Sequence, residues 1–348
     1  ISNSVNDPLF YAGAAYVAHH IGNDGLALQA IETALLTYPD EPKWRSLAAE
    51  LAHNVGDIGK EIQHLECSLG IEPENIQINI RLAKAAIEAK NPALAVEILN
   101  GVRDLDSQNA ELLHVLALAH FKNLEYDQAR AICEFARNLE NTNFAHWLLS
   151  AQIAYETGDM PSALQFAQTS SQLNPNSTDT LYLMVQILKS SGDMVGALNV
   201  LENGIKTIQP TISLLLERAK LVAAIDGAQA AIPLIADILE KNEGNAEIFA
   251  FLAEAQKDAG DYEGAEQTAM ASLDFDPDQP GVFILLGTIN NQTGHLDRAV
   301  NHFSKAIELD PEDLQGYLEL GKTYQNRRDY MKALQTYQRA MIAKPVDY

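Results

Sequence analysis

Residues 280–313 read PGVFILLGTINNQTGHLDRAVNHFSKAIELDPED, and residues 314–347 read LQGYLELGKTYQNRRDYMKALQTYQRAMIAKPVD. Laid one over the other, these two stretches of 34 align Phe283 with Tyr317, Leu286-Gly287 with Leu320-Gly321, Ala299 with Ala333, Phe303 with Tyr337 and Pro311 with Pro345. Stepping back by 34 extends the register through the chain without insertion or deletion, in units that start at 8, 42, 76, 110, 144, 178, 212, 246, 280 and 314. Residues 1–7 are left as a lead-in. Position 20 of the unit is Ala at 27, 95, 129, 163, 197, 231, 265, 299 and 333, with Glu61 as the single exception. Position 8 is Ala in seven units, Val185 in one, and Gly287 and Gly321 in the last two.

Each unit reads as two helices. Gly22, Gly56, Gly158, Gly192, Gly260 and Gly294 at position 15 suit the backbone reversal that ends a first helix. Pro39, Pro73, Pro175, Pro277, Pro311 and Pro345 at position 32 close a second helix, because proline pushes its predecessor out of helical geometry. Between these marks lie two segments of about 13 residues with apolar side chains at helical spacing. Small residues at positions 8 and 20 let the two helices approach, while large ones at positions 4, 7, 11 and 24 fill the space around them. Departures fall mostly in units three, four and seven, with Lys90, Leu124 and Asp226 at position 15 and Ser107, Asn141 and Glu243 at position 32. Pro233, about a turn into the second helix of unit seven, predicts either a local bend or a helix that begins late.

The pattern Tyr317, Leu320-Gly321, Tyr324, Tyr330, Ala333, Tyr337, Ala340, Pro345 resembles the tetratricopeptide repeat (TPR), and the resemblance covers nearly the whole chain. It implies an all-α fold, a right-handed superhelical solenoid of antiparallel helix pairs, with first helices lining a concave groove and second helices on the convex side. It also implies a protein-protein interaction scaffold, not an enzyme. Such an array is one solenoid stabilised between neighbours, although length alone suggests two domains.

On a helical wheel, positions 4, 7, 8 and 11 centre on one side of the first helix, and positions 2, 5, 6, 9, 12 and 13 on the other. The second set should face the groove. It holds eight basic and ten acidic residues, a net of −2 in a chain whose formal charge is −23. The acidity should therefore sit on the back and edges, keeping the molecule soluble while the front binds. Candidate partner-binding residues on the front are Tyr16, His19, His53, Lys84, His114, Leu118, Phe121, Leu148, Gln152, Tyr155, Tyr182 and Gln186. Aromatic side chains beside adaptable amides are the usual anchors of a peptide site. Leu9, Leu47, Ile80 and Ile87 extend the apolar strip toward the N-terminus.

The cochaperone members of the family grip a C-terminal carboxylate with Lys, Asn and Arg, but the matching places here hold Ala12 and Tyr16, Leu47, then Gln77 and Arg81. Sugar-transferring relatives carry an Asn ladder at position 6, which here runs Gly13, Leu47, Arg81, Val115, Leu149, Leu183, Glu217, Phe251, Leu285, Glu319. Neither mode is expected. No P-loop, dinucleotide fingerprint, nucleophile elbow or HExxH is present, so no catalytic residue and no cofactor are predicted. No metal site is expected either, since His19 and His53 occupy equivalent places on neighbouring first helices, about 10 Å apart and too far to share an ion. Cys67 and Cys133 read as small buried packing residues.

The acidic charge argues against nucleic acid and anionic membrane as partners, and no apolar run reaches the roughly 20 residues that span a bilayer. The sequence predicts a protein or peptide partner, and a soluble chain in either the cytoplasm or the periplasm. It begins with Ile1 instead of Met, as expected of a fragment. Two further readings follow: the docking or regulatory arm of an enzyme such as a transferase, or an assembly component of a bacterial envelope or polysaccharide-export system. An uncovered apolar face over Tyr330–Ile342 predicts end-to-end self-association through the last repeat.

Overall fold

The computed structural model describes residues 7–241 and 245–343. Expectations placed on residues 1–6, Glu243 and Pro345 lie outside these residues. Twenty α-helices and one turn of 3₁₀-helix (Arg103–Leu105) occupy the described chain, which contains no strand.

The repeats fall into two compact units, divided after Ile187. In the first the helix pairs are α1 (Pro8–His20) with α2 (Asp24–Leu35), α3 (Pro42–Asn54) with α4 (Ile58–Ile71), and α5 (Ile76–Glu88) with α6 (Pro92–Val102). Then come α7 (Ala110–Lys122) with α8 (Tyr126–Leu139), α9 (Phe144–Glu156) with α10 (Met160–Leu173), and α11 (Thr178–Ser190), which crosses the division. The second unit continues with α12 (Met194–Gly204), then α13 (Ile212–Asp226) with α14 (Ala228–Lys241), and α15 (Ala246–Asp258) with α16 (Tyr262–Phe275). It closes with α17 (Pro280–Gln292) and α18 (Leu296–Leu309), then α19 (Leu314–Asn326) and α20 (Tyr330–Ala343). All ten first helices start 34 residues apart, and so do all ten second helices.

Local chemistry fixes those boundaries. Asp7, Asn75, Asn109, Asn143, Thr211, Asn245 and Asp313 each cap a first helix, the side-chain oxygen accepting from a backbone N–H of the first turn. At the other end, position 15 adopts the left-handed conformation, with φ between 77° and 86° at the six glycines. The next residue then donates its N–H back to the first helix, as Asp159 does to the Ala154 carbonyl at 2.9 Å, while its own side chain caps the second helix at Ser162 N–H. Lys90, Leu124 and Arg328 take the same left-handed turn without being glycine, with φ of 59°, 62° and 62°. In the seventh repeat the positive φ moves one residue on, to Gly227.

Packing follows the small residues. The nine alanines of position 20 are buried, and within each unit first helices pack on their own second helices, as α1 does on α2 and α15 on α16. Where position 24 is a ring, position 8 is glycine: a Cβ at Gly287 would stand 2.5 Å from Phe303, and a Cβ at Gly321 would strike Tyr337. The first unit has cores around Ile31 and Leu51 and around Leu99, Leu112 and Leu116. In the second, clusters around Ile235 and Phe303 do the same work. Neighbouring first helices also touch, α5 with α7 and α7 with α9 in the first unit, α15 with α17 and α17 with α19 in the second.

Two expectations need correction. The second helix of repeat seven does not begin late: α14 starts in register at Ala228 and carries Pro233 inside it. Cys133 is buried, but Cys67 is exposed, because it sits at position 26, two places past the packing row at position 24 that Cys133 occupies.

Candidate functional site

Positions 9 and 12 of one first helix stand beside positions 2, 5 and 6 of the next, and the charges show it. Lys84 (position 9) donates to Glu111 Oε1 (position 2 of the next repeat) at 2.8 Å, and Lys220 faces Glu247 in the same geometry at 3.5 Å. Lys189 pairs with Glu217. Five of the eight basic residues on this face are held by acidic residues of the same face, the others being Lys257 on Asp258 and Lys322 on Glu319. The face is thereby nearly neutral, pair by pair.

Five of the twelve predicted residues meet in one hollow of about 350 Å³ on α7, α9 and α11. Phe121 and Tyr155 from position 12, Gln152 and Gln186 from position 9 and Tyr182 from position 5 line it, with Lys122, Glu156, Asp179 and Leu183. Tyr182 is 47% exposed, whereas Phe121 is half-buried against the core beneath, so one ring is offered and the other forms the floor. The Lys122 ammonium lies 5.6 Å from the Phe121 ring centroid, a cation–π contact. The arrangement offers rings for an apolar side chain, two amides for a peptide backbone, and charges of both signs at the rim.

The remaining predicted residues are not brought to that hollow. Tyr16 is exposed on α1. His19 Nδ1 stands 2.6 Å from Asp24 Oδ1 across the first turn, a hydrogen bond that raises the imidazole above its usual range. His53 meets Glu61, and Lys84 is taken up by Glu111. Leu118 is half-buried against the core between α7 and its neighbours, and Leu148 is half-buried on α9. His114 turns sideways to His146, with Nδ1 atoms 3.0 Å apart. Burial first, and the second imidazole next, lower His114 to about 4. Of the extended strip, Leu47 and Ile80 are buried in the core, Leu47 with Leu51 and Ile31, and Ile80 with Leu99 and Leu112.

A larger hollow, about 700 Å³, lies in the second unit on α13, α15, α17 and the start of α19. Lys220, Phe251, Glu254, Lys257, Ile284 and Leu285 line it, again from positions 5, 6, 9 and 12. None of the twelve predicted residues lies there, and the wall has one aromatic side chain, Phe251. The wheel itself had marked every one of these positions.

α20 exposes Tyr330, Met331, Leu334, Met341 and Ile342. No helix among the described residues is long and apolar enough to cross a membrane.

Comparison with known proteins agrees with the register. Sequence profiles described as tetratricopeptide repeat match residues 114–177 and 228–289, and one described as TPR repeat matches residues 287–327. The BBSome complex member bbs-4 of Caenorhabditis elegans is 31% identical over 93 residues, which is 27% of this chain and 20% of that protein's length. Among solved structures, a tetratricopeptide repeat protein from Parabacteroides merdae ATCC 43184 aligns over 71% of this chain and 98% of its own, at TM-score 0.52 and 13% identity. The APC/C hetero-tetramer Cut9-Hcn1 aligns over 85% of this chain and 58% of that one, at TM-score 0.51 and 15% identity. At such identities the two structures speak for the fold alone. Ten helix pairs in a fixed register of 34, with a left-handed turn in each and three matching profiles, make the chain a tetratricopeptide repeat protein.

Proposed function

We propose that this protein is an interaction scaffold that holds an extended peptide or a helix of a partner protein against the face of its first helices. The observation that carries the reading is the Phe121–Gln186 hollow, where aromatic anchors and amides predicted from the repeat register converge on one surface of the first unit. The fold supports scaffolding in general. The hollow adds a mode: an apolar side chain of the partner rests on Tyr155 and Tyr182, and Gln152 and Gln186 pair with its backbone. A display library of random peptides selected against the chain tests this. Selected peptides should lose binding when Phe121, Tyr155 and Tyr182 are changed to alanine together, with helicity unchanged. Retained binding refutes the assignment.

The exposed apolar side chains of α20 support a lesser proposal, association between copies of the chain through that helix. Light scattering should then show mass rising with concentration and returning to the monomer in Leu334→Glu; a constant monomer mass in the parent chain counts against it. An arm of a larger enzyme and an assembly component remain readings of how such a scaffold is used, and no residue described above favours one over the other.

A further inference from the structure

The strictest position in the repeat has one exception, and that exception is a carboxylate. Position 20 is where second helix presses on first, and nine buried alanines fill it. Glu61 takes the tenth place and is only 5% exposed. A carboxylate in such a place loses its hydration and must be compensated by a partner of opposite charge or by strong donors. Its one side-chain hydrogen bond among the described residues is with His53 Nδ1, 3.1 Å from Glu61 Oε2. One hydrogen bond from an exposed imidazole is slight compensation for a buried carboxylate.

The geometry points to a metal. Glu61 opens on a hollow of about 190 Å³ between repeats two and three, lined also by His53 and Glu88. One donor atom from each of His53, Glu61 and Glu88 lies within 4.8 Å of the others. His53 lies in the last turn of α3, Glu61 in the first turn of α4, and Glu88 ends α5, so three helices of two repeats contribute one donor each. Donors around a tetrahedral zinc stand roughly 3.3 Å apart, a spacing that rotation of the exposed His53 and Glu88 side chains can reach while the buried Glu61 stays in place. One imidazole and two carboxylates suit a divalent transition metal, with a fourth position open to water or to a partner's side chain.

Two cations share the hollow and must be weighed. Lys84 is already engaged by Glu111 at 2.8 Å, and Arg81 makes no ion pair with either carboxylate among the described residues. Glu50 also lines the hollow, but the two carboxylates that join His53 are themselves balanced by one divalent ion. We propose that His53, Glu61 and Glu88 bind a divalent metal of the zinc class, tying repeat two to repeat three. The pair His19 and His53, whose spacing argued against a metal, is not the site; His53 joins instead with the exceptional Glu61.

The test uses the whole chain, stripped with chelator and dialysed against Zn²⁺, with bound metal measured by mass spectrometry and melting followed by circular dichroism. Glu61→Ala is the decisive variant because it restores the residue of the other nine repeats and should fold as well as the parent without metal. Expected are about one Zn²⁺ per parent chain, a melting temperature raised by zinc, and at least about tenfold weaker binding in both Glu61→Ala and Glu88→Gln. Absence of stoichiometric zinc in the parent, or undiminished zinc affinity in either variant, overturns the site.

Discussion

Leu124, Lys90 and Arg328 show at the scale of a residue how firmly the register is imposed. Each adopts a positive φ that costs an L-residue roughly 1–2 kcal/mol, in a place where six other repeats use glycine. Leu124 is 71% exposed and gives up little packing, so Leu124→Gly should stabilise the chain by about 0.5–1 kcal/mol, the strain relieved less the extra freedom of unfolded glycine. Urea unfolding reads that difference. Position 15 was legible as a turn even here, because the repeat frame persists where the residue type fails. His114 was legible only in part. The wheel put it on the front, but its pairing with His146 at position 3 joins two positions that no single wheel places together. Its depressed proton affinity has a definite sign: the unfolded imidazole takes a proton near pH 6.5, whereas the folded one waits until about 4. Stability present above pH 6.5 is therefore lost as pH falls toward 4. Between pH 7 and 5 the parent should lose about 1–2 kcal/mol more than His114→Gln, as thermal melts at the two pH values would show.

Helices meet in this chain by exchanging volume between positions 8 and 24. Gly287 lies under Phe303 and Gly321 under Tyr337, while repeats with Ala or Val at position 8 carry smaller side chains opposite, such as Ile31, Leu99 and Cys133. Gly287→Ala should cost about 1–3 kcal/mol because the ring cannot withdraw from a packed core, and Phe303→Leu in the same chain should recover most of it. Chemical denaturation of the single and double variants measures both. Small residues at positions 8 and 20 were readable as close-approach points; Glu61 was visible as the exception, but its meaning needed three helices brought together. A repeat register relates equivalent positions, and His53, Glu61 and Glu88 are not equivalent: they stand at positions 12, 20 and 13. The same limit explains Leu47 and Ile80, which the assembled core buries although a lone helix would leave them open.

Across the molecule, the period of 34 set the helix boundaries and proposed a front. It could not say where that front is hollow. Hollows of about 350 and 700 Å³ form along the first helices, one in each unit, and only the packed structure locates them. The claim that the front binds protein is tested most directly by calorimetric titration of a display-selected peptide into the parent chain, the triple alanine variant of Phe121, Tyr155 and Tyr182, and a control carrying Phe135→Ala. Phe135 is exposed on α8, a second helix outside this face. Loss of at least about tenfold in affinity in the triple variant alone, with Phe135→Ala unchanged, is the predicted result. Equal affinity in parent and triple variant would contradict it.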